Sequence, residues 1–142
     1  MKAITISQPY ASLIASGEKW AENRIWETSH RGPIAIHAGQ GRQYLGKDEL
    51  KNYQTGKIIA IADLVACVPI SRIMEEADDA NPERPFGLPW TWQEIARHSH
   101  CSGPWCWILA SVRAIEPIEV RGAQRIWKVP ADIAEKLEAI AT

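Results

Sequence analysis

The sequence predicts an α+β fold, a mixed β-barrel of five to six strands decorated by short helices. Three observations lead there. Apolar alternation of the strand type recurs in short segments bounded by glycine and proline. Short helical patterns lie between these segments, in a chain of 142 residues that holds one hydrophobic core. The alternation of strands and helices is irregular and no glycine-rich phosphate loop follows a strand, which disfavours a doubly wound parallel sheet.

The elements follow in order. "KAITIS" alternates Ile4 and Ile6 with polar residues and is expected as the first strand. Pro9 suits the first turn of a helix whose Tyr10, Leu13 and Ile14 share a face, and Gly17 is its natural stop. "RGPIAIHA" is a turn and a strand, with Ile34 and Ile36 on one face and Ala35 and His37 on the other. Residues 39–56 are expected as a polar loop with a short helix near residues 47–53. "KIIAIADLVACVPI" is the longest apolar run and is expected as a strand buried on both faces, ending near Pro69. Asp63 interrupts it on the face of Ile59, Ile61, Val65 and Cys67, where a carboxylate needs a partner such as Arg24 or a backbone amide.

A short helix near residues 71–76, a proline-rich loop and a helix capped by Thr91 come next. "GPWCWILASVRAIEPIEV" alternates Trp105, Trp107 and Leu109 with Cys106, Ile108 and Ala110. "RGAQRIWKVP" is a turn into the last strand, and Pro130 opens a helix with Ile133, Leu137 and Ile140 as its apolar face. No repeat or linker divides the chain, so one domain over residues 1–142 is expected.

The totals narrow the function classes. Sixteen Lys+Arg against seventeen Asp+Glu give a net charge of -1, so a broad basic face for duplex DNA is not indicated. No apolar run is long enough to span a membrane and no signal-peptide core is seen, so a cytoplasmic protein is expected, with reduced thiols at Cys67, Cys101 and Cys106 and no membrane partner. A monomer is expected. Seven tryptophans stand against one phenylalanine, a bias that fits amphipathic stacking sites as well as core wedges.

The segment "GEKWAENRIW" mixes charge with indole. Extended backbone would place Trp20, Glu22, Arg24 and Trp26 on one face and Lys19 on the other, so a site using all three charges requires a bend, or a Lys19 that belongs to the helix end. A solvated charged turn is the plainer reading of the spacing. His98, His100, Cys101 and Cys106 lack the spacing of a standard zinc module, and no metal site is expected. His37 at a strand end suits a hydrogen-bonded structural role or a cleft. Arg121, Arg125 and Lys128 with Trp127 form a second cationic and aromatic cluster, as single-strand binding uses, or a solvated strand face.

Gly17-x-Lys19-x-x-Glu22-x-Arg24 resembles the G-x-K-x-x-E-x-R signature of the ASCH family, in the PUA-like superfamily. "ITISQPYASLIASGEKWAENRIW", "RGPIAIHA", "GKIIAIADLV" and "WCWILASVRAIEPIEVRGAQRIWKVP" resemble family segments in the family's order, leaving out residues 70–104. The resemblance implies a PUA-like barrel with a cleft beside the first helix. It implies binding of RNA, a nucleotide or a nucleoside there, with Lys19, Glu22 and Arg24 as cleft residues. Gly17, Trp20, Trp26, His37, Arg125 and Trp127 complete the expected ligand-binding set. No cofactor is expected. The alternative that the resemblance implies is a hydrolase with Lys19 and Glu22 catalytic, either a ribonuclease using a divalent metal or an amidohydrolase on N-acylated cytidine. Glu22 stands where that amidohydrolase group carries a threonine.

Overall fold

The computed structural model describes residues 1–78 and 80–141. Among the described residues there are six strands and five short α-helices, in the order β1 (Lys2–Ile6), α1 (Tyr10–Ala15), β2 (Ala21–Arg24), β3 (Gly32–Ala38), α2 (Lys47–Leu50), β4 (Lys57–Pro69), α3 (Ile70–Glu76), α4 (Trp92–Arg97), β5 (Trp105–Glu119), β6 (Ile126–Lys128) and α5 (Ala131–Ala141). The class is the expected one, α+β with a barrel-like mixed sheet. The hydrogen-bonded order is β2-β5-β4-β3-β1-β6, so β2 and β6 are its two edge strands. The pair β1–β3 is parallel, whereas β1–β6 and β2–β5 are antiparallel.

Packing divides the chain into two units. The first comprises Met1–Lys19, Pro33–Asp63 and the chain from Ser111 onward. Its core sets Ala3, Ala35, Ile58, Ile61 and Trp127 against Ile133 and Leu137 of α5. The period of α5 explains that choice, since Ile133 and Leu137 stand four apart and meet the same surface. Ile140, expected on this face, is 36% exposed; it lies on the last turn of α5 and outside this cluster. In α1, Ala11 and Ile14 are buried. No side chain caps α1 at its first residue; instead the fully buried Gln8 accepts from the Ser12 amide (2.9 Å) and donates to the Gln54 carbonyl (2.8 Å).

The second unit comprises Trp20–Gly32 and Leu64–Ala110. Trp92 and Ile95 of α4, Ile73 of α3 and Leu88 form its core with Ala66, Val68, Cys106 and Ile108. Thr91 caps α4 as expected, in a reciprocal box with Glu94. The proline-rich loop closes over Trp92: its indole donates to Glu83 Oε1 at 3.4 Å, and the Arg72 guanidinium lies over the Trp92 and Phe86 rings.

β4 is buried on both faces only over residues 58–62; from Asp63 onward buried and partly exposed residues alternate. The full burial that would force a partner on Asp63 is therefore not imposed, because the residue is only partly buried. β5 carries a left-handed residue at Ser111 (φ 51°).

Candidate functional site

Lys19 is held by the end of α1. Gly17 adopts φ +87°, its amide bonds to the Ile14 carbonyl, and the Lys19 amide bonds to the Leu13 carbonyl at 3.0 Å, a glycine-terminated cap that turns the chain out of the helix. The strand starts only at Ala21. Lys19 thus escapes strand parity, the resolution that the alternation required. Its side chain is 2% exposed, with Nζ 5.8 Å from the Tyr10 ring centroid.

On β2, Glu22 opposes Trp107 and Arg24 opposes Trp105 in the antiparallel ladder with β5. Arg24 grips one carboxylate oxygen of Glu22 from two sides, through Nε at 3.0 Å and a terminal amine at 2.8 Å. The guanidinium is a planar fork with five donors, and the Arg24 side chain keeps 24% exposure, so it meets water while Glu22 is almost covered. Trp26 stands edge-on to Trp107, with centroids 4.7 Å apart, and accepts the Trp107 indole N–H on its carbonyl.

Trp20 is stacked on Trp90 at 3.9 Å and on His98 at 4.0 Å, nearly parallel to both, and its amide donates to His98 Nε2. Sequence reasoning missed Asn23. Its Oδ1 accepts from the Ser102 and Gly103 amides and its Nδ2 donates to the His100 carbonyl, so one side chain clasps the turn that leads into β5. Asparagine's paired donor and acceptor are suited to this role, but nothing local marks it, because the partners lie about 80 residues on.

Within the first unit a cavity of about 640 Å³ is lined by Thr5, His37, Gln40, Arg121, Gly122 and Gln124, among others. Register sets its floor, since Thr5 and His37 are partners in the β1–β3 ladder. Trp127 Nε1 donates to Thr5 Oγ1 (3.1 Å), the hydroxyl meets His37 Nδ1 (3.1 Å), and His37 Nε2 donates to the Val120 carbonyl (2.8 Å). A carbonyl only accepts, so Nε2 of His37 carries a proton. Burial pushes the His37 imidazole below its ordinary value, against the raising effect of the Val120 bond.

Trp127 itself is 9% exposed and packs in the core, which leaves little indole face for a ligand. Arg125 is exposed with φ 60°, and Arg121 stands at the cavity. Among the described residues no group of three His, Cys, Asp or Glu side chains could hold a metal ion.

The ASCH domain family model matches residues 4–119. The chain belongs to the ASCH domain family. The mouse activating signal cointegrator 1 is 25% identical over 146 residues, covering 92% of this chain and 22% of the mouse protein. Its human counterpart is 31% identical over 96 residues, covering 56% of this chain and 16% of the human one. This ASCH chain therefore spans about a fifth of the length of those relatives. The crystal structure of the ASCH protein of Zymomonas mobilis superposes with a TM-score of 0.57 over 98% of this chain and 94% of that one, at 16% identity. A mutant of the same protein gives 0.56, with 98% and 96% covered, again at 16% identity. The likeness to these structures lies in the ASCH fold.

Proposed function

We propose that this ASCH domain binds single-stranded RNA, or a nucleotide-sized piece of it, through the segment from Gly17 to Trp26. The observation that carries the reading is buried charge: Lys19 (2% exposed) and Glu22 (9%) are the buried charged side chains of the chain's first two dozen residues, and they fall in the family signature. Removing an ammonium or a carboxylate from water is costly, and retaining both within one short segment is characteristic of functional sites. Arg24, oriented by Glu22 and still wetted, offers its donors to a phosphate or a base carbonyl. Trp26 supplies a ring two residues beyond the end of β2, and the Trp20 stack a second aromatic element. Binding on this reading uses no cofactor.

Filter binding of a single-stranded RNA across a salt series tests the proposal. Arg24→Ala is expected to weaken binding and to lower the slope of log affinity against log salt by about 0.7 for one lost phosphate contact. Undetectable binding at low salt, or Arg24→Ala and Lys19→Ala affinities equal to the parent's, would overturn it. The hydrolase alternative would use Lys19 and Glu22, and a desolvated amine at Lys19 is what favours it. RNA with and without divalent metal, and N-acylated cytidine, recovered intact after incubation would remove that alternative.

A further inference from the structure

We infer that Cys101 and Cys106 are a redox-active dithiol that a low-molecular-weight disulfide converts to an intramolecular disulfide. Their sulfurs lie 3.2 Å apart, about 1.2 Å beyond a disulfide bond, a gap that side-chain rotation with a small backbone adjustment closes. The two thiols differ in access. Cys101 is partly exposed, on the turn closed by its own amide to the His98 carbonyl, whereas Cys106 is fully buried in the first residues of β5. Cys101 is therefore the entry thiol and Cys106 the resolving one.

The turn between them is held in place, so the sulfurs are presented to each other rather than meeting by chance. Asn23 fixes the Ser102 and Gly103 amides, and Cys106 Sγ donates to the same Asn23 Oδ1 at 3.6 Å. Gly103 has φ +76°, and a β-carbon there would lie 2.7 Å from Ile70 Cβ, so this backbone path is built around a glycine. Oxidation removes the S–H that Asn23 accepts. The thiol state is thereby felt at the strand residue between Glu22 and Arg24.

The exchange balances with glutathione disulfide as oxidant. The Cys101 thiolate attacks one glutathione sulfur, forming a mixed disulfide and expelling one glutathione thiolate; Cys106, losing its proton, attacks Cys101 Sγ and expels the second. Two protein thiols are oxidised and one glutathione disulfide is reduced to two thiols. Cys67 serves as the internal reference: it is partly buried, accepts the Thr28 amide, and burial raises its thiol above the ordinary value, which leaves less thiolate.

The test incubates the whole folded chain with glutathione disulfide, blocks the remaining thiols by alkylation after denaturation, and weighs and maps the product. The expected product is about 2 Da lighter before blocking, takes one alkyl group in place of three, and carries a cross-link between Cys101 and Cys106, reversed by dithiothreitol. Cys106→Ser is expected to trap one glutathione on Cys101. Three alkylated thiols, a lasting glutathione adduct on wild-type Cys101, or a cross-link through Cys67 would overturn the inference. Peptide mapping of the wild-type chain decides even if the Cys106 variant does not fold.

Discussion

Gly122 approaches the His37 ring so closely that a β-carbon on it would stand 2.6 Å from Cε1 and 2.7 Å from both Nδ1 and Thr5 Oγ1. The ring cannot swing aside, because both of its nitrogens are hydrogen-bonded. Gly122→Ala is therefore expected to lower stability by about 1–3 kcal/mol, the usual result of overpacking. Equilibrium denaturation in urea measures it; a midpoint equal to the parent's would refute the contact.

The same histidine sets a pH dependence. Its folded value lies below the ordinary 6.5 because burial disfavours the cation. As pH falls through 6.5 the unfolded chain takes up a proton that the native imidazole resists, so stability is fully present above 6.5 and is lost as pH descends towards the folded value. A proton on Nδ1 would also make it a second donor, beside Trp127, to the Thr5 hydroxyl. Unfolding free energies from about pH 7.5 to about pH 5 should fall more steeply for the parent than for His37→Gln. Parallel profiles would show that another group carries the dependence.

Asn23→Ala is expected to cost about 2 kcal/mol, since three backbone groups of residues 100–103 lose their side-chain partner. Amide exchange at Ser102 and Gly103 should accelerate more than exchange in α5, which belongs to the other unit. Uniform acceleration throughout the chain would point to global destabilisation instead of a local clasp.

Arg24→Lys separates charge from geometry. Lysine keeps the cation but cannot set two donors on one Glu22 oxygen, so RNA affinity should drop about tenfold while the salt slope stays near the parent's. Equal affinity for the two proteins would mean that charge alone is read.

Trp92→Ala tests the core of the second unit. Trp92 is fully buried, and its removal should cost about 3–5 kcal/mol and release the proline-rich loop that Glu83 and Phe86 tie to it. Thermal unfolding and protease sensitivity near residues 82–88 would report both; a loop that resists cleavage as before would refute the tie.

Much of the architecture was legible because it is local. Period-two alternation marked β1, β3 and β5, and Pro9, Thr91 and Pro130 marked three helix starts. Gly17 marked the end of α1, and with it the need to treat Lys19 apart from β2. The alternation of residues 22 and 24 also placed Glu22 beside Arg24 correctly, since a pleat sets that neighbourhood whatever the rest of the chain does, whereas Trp20 and Trp26, expected on the same face, lie outside β2. Half of β4 misled, because an apolar run does not say where its cover ends.

The sequence by itself thus determined the fold class, the family signature and which charges share a strand face, all of which follow from backbone period, turn chemistry and residue order. Only the tertiary structure decided that Trp20 stacks on Trp90 and His98, that Trp127 serves the core, that Asn23 clasps a distant turn, and that Cys101 meets Cys106. The physical reason is that these roles depend on which surfaces long-range packing brings together. An indole, an amide or a thiol is equally suited to several partners until that packing selects one.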